Sequence, residues 1–317
     1  MCGIIGYAGS RDSISILISG LKRMEYRGYD SAGVAVIGAN GIEIEKDAGK
    51  VANLEKLLSK SKIKGTTGIG HTRWATHGVP NQINAHPHSD DTESIVLVHN
   101  GIIENYGSLR TELEKSGHRF TTDTDTETIA HLIAEFNSGD LVEAVQRALS
   151  LVRGTYGLAI LSSKDPETIV AARLGSPMVI GHGKGENFVA SDPVAFMHYT
   201  RDVSFMEDGE IAVITASSVE YRTLSNEVID KELEQLTFDI AAIEKSGYPH
   251  FMIKEICEQP KTISDSMRGR ILREEGTVKF GGLSTVEDDL RKAKRIILLG
   301  CGTSWHAGLV GEYLFEE

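Results

Sequence analysis

The chain has 317 residues, enough for two domains, and its 40% apolar and 25% charged content is typical of a globular protein. A formal charge of −12 argues against nucleic acid or an anionic membrane as the main partner, because no basic field attracts phosphate. Cys2, Cys257 and Cys301 are odd in number and share no ligand spacing, so neither a disulfide framework nor a structural zinc site is predicted. No apolar run nears the roughly 18 residues of a membrane span, and no targeting sequence precedes Cys2. We therefore expect a soluble protein of the reducing cytoplasm.

The first hundred residues predict strands around one helix. Residues 2–9 read as a short buried strand, and the helix that follows has an apolar face made of Ile14, Leu17, Ile18, Leu21 and Met24. The dipeptide Asn40-Gly41 is the favoured turn between alternating strands and predicts a hairpin. Further strands are expected at about 67–71 and 94–99.

Helices and then strands follow along the chain. Two or three helices are expected over 105–153, one of them opening with a capping box formed by Thr124 and Glu127. Short β-rich segments dominate residues 154–223. Strands, then helices, then strands again indicate an α+β fold with antiparallel sheets.

The last ninety residues differ in character. The segment after about 228 is charged and strand-poor, as a connector is, and residues 294–317 predict a strand at 294–299, a glycine turn and a helix. That is one βα unit of an α/β domain, and we expect the chain to end inside this domain. The predicted domains are 1–240, a connector at 241–292, and 293–317.

Cys2 is the first residue with catalytic potential. If Met1 is removed, Cys2 carries both a thiol and a free α-amine, and an amine that titrates near 7.7–8.0 can accept the thiol proton. The alternative is a buried structural cysteine in the first strand.

The segment HTRWATHG at 71–78 follows a predicted strand, where site loops often lie. Arg73 has the planar fork that binds a carboxylate with two hydrogen bonds. Trp74 suits an apolar lid, and Thr76 and His77 can donate to a substrate. A surface salt bridge and a packed tryptophan are the structural alternatives.

Two further segments carry polar groups suited to a reaction. Asn100 and the main-chain N–H of Gly101 can form an oxyanion hole, although Asn-Gly is also an ordinary turn. Asp125 can hold a substrate ammonium group, or it can favour a helix N-terminus through the helix dipole.

Two more patterns suggest ligands. His86-Pro87-His88 with Asp90 and Asp91 invites a metal site, but no ligand set of standard spacing accompanies it, so we predict no metal and no cofactor. Glycines around 300–302 lie between a predicted strand and helix, where backbone amides and the hydroxyls of Thr303 and Ser304 suit a small phosphate.

These segments together resemble a known family. The sequences CGIIG at 2–6, EYRGYDSAG at 25–33, HTRWATHG at 71–78, NAHPH at 84–88, HNGIIEN at 99–105 and TDTE at 124–127 resemble the class II glutamine amidotransferases, which are N-terminal nucleophile (Ntn) hydrolases. FMIKEICEQP at 251–260 and LGCGTS at 299–304 are similar to the glutamine:fructose-6-phosphate aminotransferases within that family.

The resemblance implies a four-layer sandwich of two antiparallel sheets between helices, followed by the start of a sugar isomerase (SIS) domain. It implies L-glutamine as substrate, fructose 6-phosphate as acceptor in the complete enzyme, and a homodimer formed through the isomerase half. The implied roles are Cys2 as nucleophile, Asn100 and Gly101 as oxyanion hole, Thr303 and Ser304 as part of a sugar-phosphate site, and a glutamine site made by Arg27, Arg73, Trp74, Thr76, His77 and Asp125.

Other functions remain open at this stage. Another class II amidotransferase is one, although the nucleotide-binding loop of an asparagine synthetase and the acidic motif of a phosphoribosyl amidotransferase are missing from the sequence. A non-catalytic module that senses sugar phosphate on a glutaminase scaffold is another, and a retained Met1 would favour it.

Overall fold

The computed structural model describes residues 2–74, 79–237, 248–267, 270–272, 276–278 and 286–316. The chain divides into two compact units, Met1–Glu244 and Lys245–Glu317. Among the described helices, none is long and apolar enough to cross a bilayer.

Helices of the first unit lie in two groups along the chain. Their bounds are α1 Ser13–Met24, α2 Val51–Leu58, α3 Tyr106–Lys115, α4 Asp125–Phe136 and α5 Leu141–Leu151. Single 3-10 turns occur at Glu25–Arg27 and Pro193–Ala195.

Two antiparallel sheets form the centre of the first unit. Their strands are β1 Gly3–Ala8, β2 Ser31–Gly38, β3 Gly41–Ala48, β4 Thr67–Arg73, β5 His88–Ser89, β6 Ile95–Ile103, β7 Gly154–Ser162, β8 Asp165–Leu174, β9 Val179–His182, β10 Asn187–Ala190, β11 Asp202–Phe205, β12 Glu210–Ile214, β13 Val219–Thr223, β14 Val228–Ile229 and β15 Glu234–Gln235. The first sheet has the order β15-β11-β9-β10-β1-β4-β2-β3, and the second has the order β14-β13-β12-β8-β7-β6-β5.

Alternation along the strands explains the layering. On β1, Ile5 packs into the core shared with α1, whereas Ile4 belongs to the core between the sheets. On β6, Leu97 packs with the α3–α5 layer and Val98 faces the other sheet. Because side chains alternate between the two faces of a strand, a sheet covered on both faces needs continuous apolar runs. The predicted α+β sandwich with two antiparallel sheets between helices is therefore confirmed, and this fold places the ends of β1, β4 and β6 together.

Local signals read from the sequence have mixed outcomes. The helix with the Ile14–Met24 face is α1, and the Asn40-Gly41 hairpin joins β2 to β3 with Gly38 opposite Gly41. Only one of the two hydrogen bonds of the predicted capping box is present. The Thr124 side chain accepts from the Glu127 N–H, but the Glu127 carboxylate accepts from Thr121 and Thr122 instead of closing the box.

The second unit contains helices at Phe251–Met267, Glu287–Lys292 and Thr303–Glu316, and a short hairpin of Ile271–Leu272 with Thr277–Val278. The strand predicted at 294–299 is wrong for this structure, since residues 295–300 have no regular secondary structure. A strand is defined by a hydrogen-bonded neighbour, and the described part of this unit places none beside this apolar segment. The identity of this unit as the start of an SIS domain stays a prediction.

Candidate active site

A cavity of about 270 Å³ lies where the ends of β1, β4 and β6 meet the start of α4. It lies at the small end of the volumes typical of ligand pockets, which suits a molecule of amino-acid size. The residues assigned to the glutamine site or the oxyanion hole from the sequence that line it are Cys2, Arg27, Arg73, Trp74, Asn100, Gly101 and Asp125. Residues more than a hundred positions apart in sequence thus converge on one site.

The register of β1 and β4 sets the surroundings of Cys2. Gly3 pairs with Thr72, which brings Cys2 to the end of β4. The Trp74 main-chain N–H donates to Cys2 Sγ over 3.1 Å. Burial raises the pKa of the Cys2 thiol, although this hydrogen bond and the charge of Arg73 act in the opposite direction. A buried thiol of raised pKa stays protonated near neutrality and requires a base to react.

Arg73 and Asp125 place opposite charges on the cavity wall. Arg73 ends β4 and is 3% exposed, and its main-chain oxygen accepts from the Asp30 N–H over 3.0 Å. Burial lowers the pKa of Arg73, and nearby Cys2, Asp125 and Asp30 oppose that shift. Asp125 is the first residue of α4, and its Oδ2 accepts from the Ile103 N–H over 2.8 Å. Both sequence interpretations of Asp125 therefore fit its position, since it lies at the helix N-terminus and also lines the cavity.

Asn100 and Gly101 lie side by side on β6. Asn100 Nδ2 donates to the main-chain oxygen of Cys2 over 3.1 Å, and Asn100 Oδ1 lies 3.0 Å from His71 Nε2. Gly101 has a φ of +140°, and a Cβ there would overlap the carbonyl oxygen of Thr155. Only glycine fits this backbone, so the Asn-Gly pair is part of a strand lining the cavity and not a hairpin turn.

Arg27 and Trp74 form the rim. Arg27 Nη1 pairs with Asp192 Oδ2 at 2.7 Å, with the arginine side chain 10% exposed. Trp74 is 46% exposed, and its ring meets Tyr29 edge-on at 5.6 Å. An exposed indole at the mouth fits the lid interpretation better than a packed tryptophan does.

Sequence reasoning assigned no role in this site to three histidines, of which His86 and His99 line the cavity and His71 lies on β4. Thr126 Oγ1 lies 3.0 Å from both His86 Nε2 and His99 Nδ1, and His86 stacks on His71 at 4.2 Å. Burial lowers the pKa of His71 to about 3 and that of His86 well below the usual value, so both rings are neutral. A period-2 pattern was available as a signal, because His71 shares a strand face with Arg73, and His99 with Gly101.

Four predicted residues are not placed in the cavity. Thr76 and His77 fall outside the described residues. Thr303 and Ser304 belong to the second unit and begin the helix Thr303–Glu316. Gly302 before them has a φ of +57°, as the predicted glycine turn requires.

Comparison with known proteins bears on this site directly. Residues 71–198, which include most of the cavity, match the glutamine amidotransferase domain family. Among solved structures, the glutamine phosphoribosylpyrophosphate amidotransferase from B. subtilis, complexed with ADP and GMP, superposes with a TM-score of 0.62 and 28% identity over 72% of this chain and 50% of that one. Residues 71–198 thus belong to a glutamine amidotransferase domain. A class-II domain protein from Silicibacter pomeroyi, at 17% identity and TM-score 0.50 over 70% of this chain and 99% of that one, shares the fold.

Several curated relatives of this chain share one name. A glutamine–fructose-6-phosphate aminotransferase (isomerizing) of Chlorobaculum tepidum is 50% identical over all of this chain and 53% of its own length. The enzyme of the same name from Thermus thermophilus is 47% identical over all of this chain and 52% of its own. The chain thus spans about half the length of the curated relatives it matches.

Proposed function

We propose that this amidotransferase domain hydrolyses the side-chain amide of L-glutamine, with Cys2 as the nucleophile once Met1 is removed. One observation carries the proposal: a single cavity of about 270 Å³ is lined by a thiol, a cation, an anion and an amide donor. These are Cys2, Arg73, Asp125 and Asn100, the set that a glutaminase of this class requires.

Recognition of glutamine uses the two charges. Arg73 binds the α-carboxylate through its guanidinium fork, and Asp125 holds the α-ammonium group. The zwitterionic end of the amino acid then lies between them, and its amide reaches toward Cys2. Arg27 and Trp74 close the mouth, and the roles of Thr76 and His77 stay a prediction from the sequence.

The chemistry needs a base, because burial raises the pKa of the Cys2 thiol. After Met1 is removed, the α-amine of Cys2 accepts the thiol proton, and the thiolate attacks the amide carbon. Asn100 Nδ2 and the Gly101 N–H stabilise the oxyanion. The ammonium returns its proton to the leaving NH₂, ammonia departs, and a glutamyl thioester remains. Water then attacks, the amine takes a proton from it, and glutamate leaves with the thiol restored.

The test is to measure the mass of the terminal peptide of purified protein and its rate of glutamate release. We expect an N-terminal cysteine and activity that scales with the fraction of processed chains. A fully processed protein that releases no glutamate would contradict the proposal, and so would an active protein that keeps Met1.

The acceptor of the ammonia is a further part of the proposal. The names of the relatives and the hydroxyls of Thr303 and Ser304 favour fructose 6-phosphate, which a protein with a complete isomerase half would aminate to glucosamine 6-phosphate. We expect that protein to be a cytoplasmic homodimer. Cys2, Cys257 and Cys301 are free thiols, consistent with a reducing compartment.

The 317-residue chain should release glutamate but form no amino sugar, because the two exposed hydroxyls of Thr303 and Ser304 supply too few donors to bind and orient a sugar phosphate. Amino sugar formed in proportion to glutamate would contradict that expectation.

A further inference from the structure

Outside the glutamine cavity, three segments of the first unit bring metal-binding side chains together. Asp91 comes from the turn between β5 and β6, His118 from the loop after α3, and His131 from the middle of α4. His118 Nδ1 and His131 Nδ1 are 3.0 Å apart, and Asp91 Oδ1 lies 4.0 and 3.9 Å from them. The His131 side chain is completely buried and that of His118 is 12% exposed, so this group is built into the fold.

Carboxylates on the far side of each imidazole set its orientation. Glu135 Oε2 lies 3.0 Å from His118 Nε2, and Glu127 Oε1 lies 3.9 Å from His131 Nε2. A carboxylate there favours the proton on Nε2, which leaves the Nδ1 lone pair free to bind. Both lone pairs then point at one place. Two lone pairs 3.0 Å apart repel each other unless a cation or a shared proton lies between them.

The charge around the two rings favours a cation. The Glu127 carboxylate accepts hydrogen bonds from the main-chain N–H groups and the hydroxyls of Thr121 and Thr122, which fix it beside the His131 ring. Asp91 and Glu135 add carboxylates on the other sides. Three carboxylates therefore surround the two imidazoles.

We propose that Asp91, His118 and His131 bind a divalent transition-metal ion, with Zn²⁺ the best match. Two imidazole nitrogens and one carboxylate oxygen suit a borderline ion and are a poor set for Mg²⁺ or Ca²⁺, which take oxygen ligands. Tetrahedral zinc with bonds of about 2.0–2.1 Å separates its ligands by about 3.3 Å. The three separations here, 3.0, 3.9 and 4.0 Å, bracket that value, and Asp91, with a side chain 36% exposed, is free to move inward.

The position of the site suggests a structural effect. His131 lies on α4, whose first residues Asp125 and Thr126 line the glutamine cavity. A metal ion would join α4 to the loop at His118 and to the turn at Asp91. An ion that binds the folded state but not the unfolded state raises the melting temperature. Positions 91, 118 and 131 have no standard ligand spacing, so the sequence offered Asp91 as a candidate ligand but neither histidine. Among the described residues, the side chains that converge in this way are these three and not the His86-Pro87-His88 set.

The experiment titrates Co²⁺ into the full chain after removal of metals with EDTA, followed by visible absorption and then by displacement with Zn²⁺. We expect saturable binding of one equivalent and a higher melting temperature with either ion. Asp91→Asn and His118→Ala should each weaken binding more than tenfold, and Glu135→Gln by about tenfold. His198→Ala removes an exposed imidazole elsewhere in the same unit and should bind as wild type does.

The Cys2 thiol could also bind the added metal ion, and a Cys2→Ala variant distinguishes binding at Cys2 from binding at the proposed site. At the proposed site, Cys2→Ala keeps the one-equivalent binding and Asp91→Asn loses it. The reverse pattern, or no saturable binding at all, overturns the proposal and leaves a shared proton as the link between the imidazoles. Should His118→Ala fail to fold, the half-exposed Asp91→Asn decides the matter.

Discussion

The Nε2 atom of His71 lies 3.0 Å from Oδ1 of Asn100, and this contact sets which way the asparagine amide faces. Burial lowers the pKa of His71 to about 3, although the hydrogen bond to Asn100 acts the other way, so the ring is neutral at physiological pH. A neutral Nε2–H donates to the amide oxygen and leaves Nδ2 directed at the main-chain oxygen of Cys2, 3.1 Å away. A buried histidine thereby aims the proposed oxyanion donor.

Separate replacements of Asn100 and His71 should distinguish the oxyanion donor from the residue that orients it. Asn100→Ala should lower kcat for glutamine hydrolysis about a hundredfold or more, with KM nearly unchanged, because the donor acts on the transition state. His71→Leu should lower kcat by less, up to about a hundredfold, because the amide is misplaced but present. Steady-state kinetics with a parallel melting curve make the measurement. If His71→Leu lost as much kcat as Asn100→Ala and also raised KM, the His71 ring would support the site as a whole and not only the Asn100 amide.

The nucleophile assignment predicts a complete loss. Cys2→Ala should reduce glutamate release more than about a thousandfold, because the thioester can no longer form, while the small change in volume leaves the fold intact. Circular dichroism and melting temperature check the fold. Cys257→Ala, which removes an exposed thiol in the second unit, is the matched control and should keep full activity. Substantial residual activity in Cys2→Ala would remove Cys2 from the mechanism.

Carboxylate recognition depends on the shape of the Arg73 side chain. Arg73→Lys should raise KM for glutamine about tenfold or more, since a point charge replaces a planar fork with two donors. Arg11→Lys is the control, because Arg11 makes a two-bond contact with Glu186, with both donor–acceptor distances 2.8 Å, and does not line the cavity. An unchanged KM in Arg73→Lys would mean that the carboxylate is bound by other groups.

Sequence reasoning worked where a local pattern decides the structure. The helical spacing of α1 and the Asn40-Gly41 turn are fixed by neighbours within a few residues, and both were read correctly. Sequence reasoning failed where contacts between distant residues determine the secondary structure. The apolar segment at 294–299 has strand composition but no described partner strand, and β11 at Asp202–Phe205 pairs with β9 without a strong pattern of its own. The cavity could be predicted through motifs, whereas the contacts of His71 and His86 beneath it depend on tertiary packing.

Protonation of Glu127 should lower the free energy of unfolding in acid. Burial acts to raise its pKa, but the nearby His131 ring and hydrogen bonds from Thr121 and Thr122 hold it at about 2, below the roughly 4.3 of an unfolded glutamate. The stabilisation by the ionised carboxylate, on the order of 1–3 kcal/mol after allowance for solvent screening, is therefore present above about pH 4.3 and is lost as pH falls toward about 2. Glu127→Gln should lower the free energy of unfolding at pH 7, and the gap from wild type should close by about pH 2.

Urea titrations of metal-free protein at several pH values would measure that gap. Glu114→Gln is the control, because Glu114 is an exposed partner of Arg110 and such pairs contribute little. A gap that stays constant between pH 7 and 2 would show that the loss in Glu127→Gln comes from packing and not from the ionised carboxylate.

The first unit should act without the second. All described residues that line the cavity lie between Cys2 and Pro177, and the three hydrophobic cores end at Leu236. A unit with its own core can fold alone, so residues 1–244 should match the full chain in kcat and KM for glutamine. Thr303→Ala with Ser304→Ala in the full chain should also leave glutamate release unchanged, because these hydroxyls belong to the proposed sugar-phosphate site. A shortened chain that melts cooperatively yet hydrolyses glutamine slowly would show that residues after 244 complete the glutaminase, and the domain boundary proposed near 240 would then be wrong.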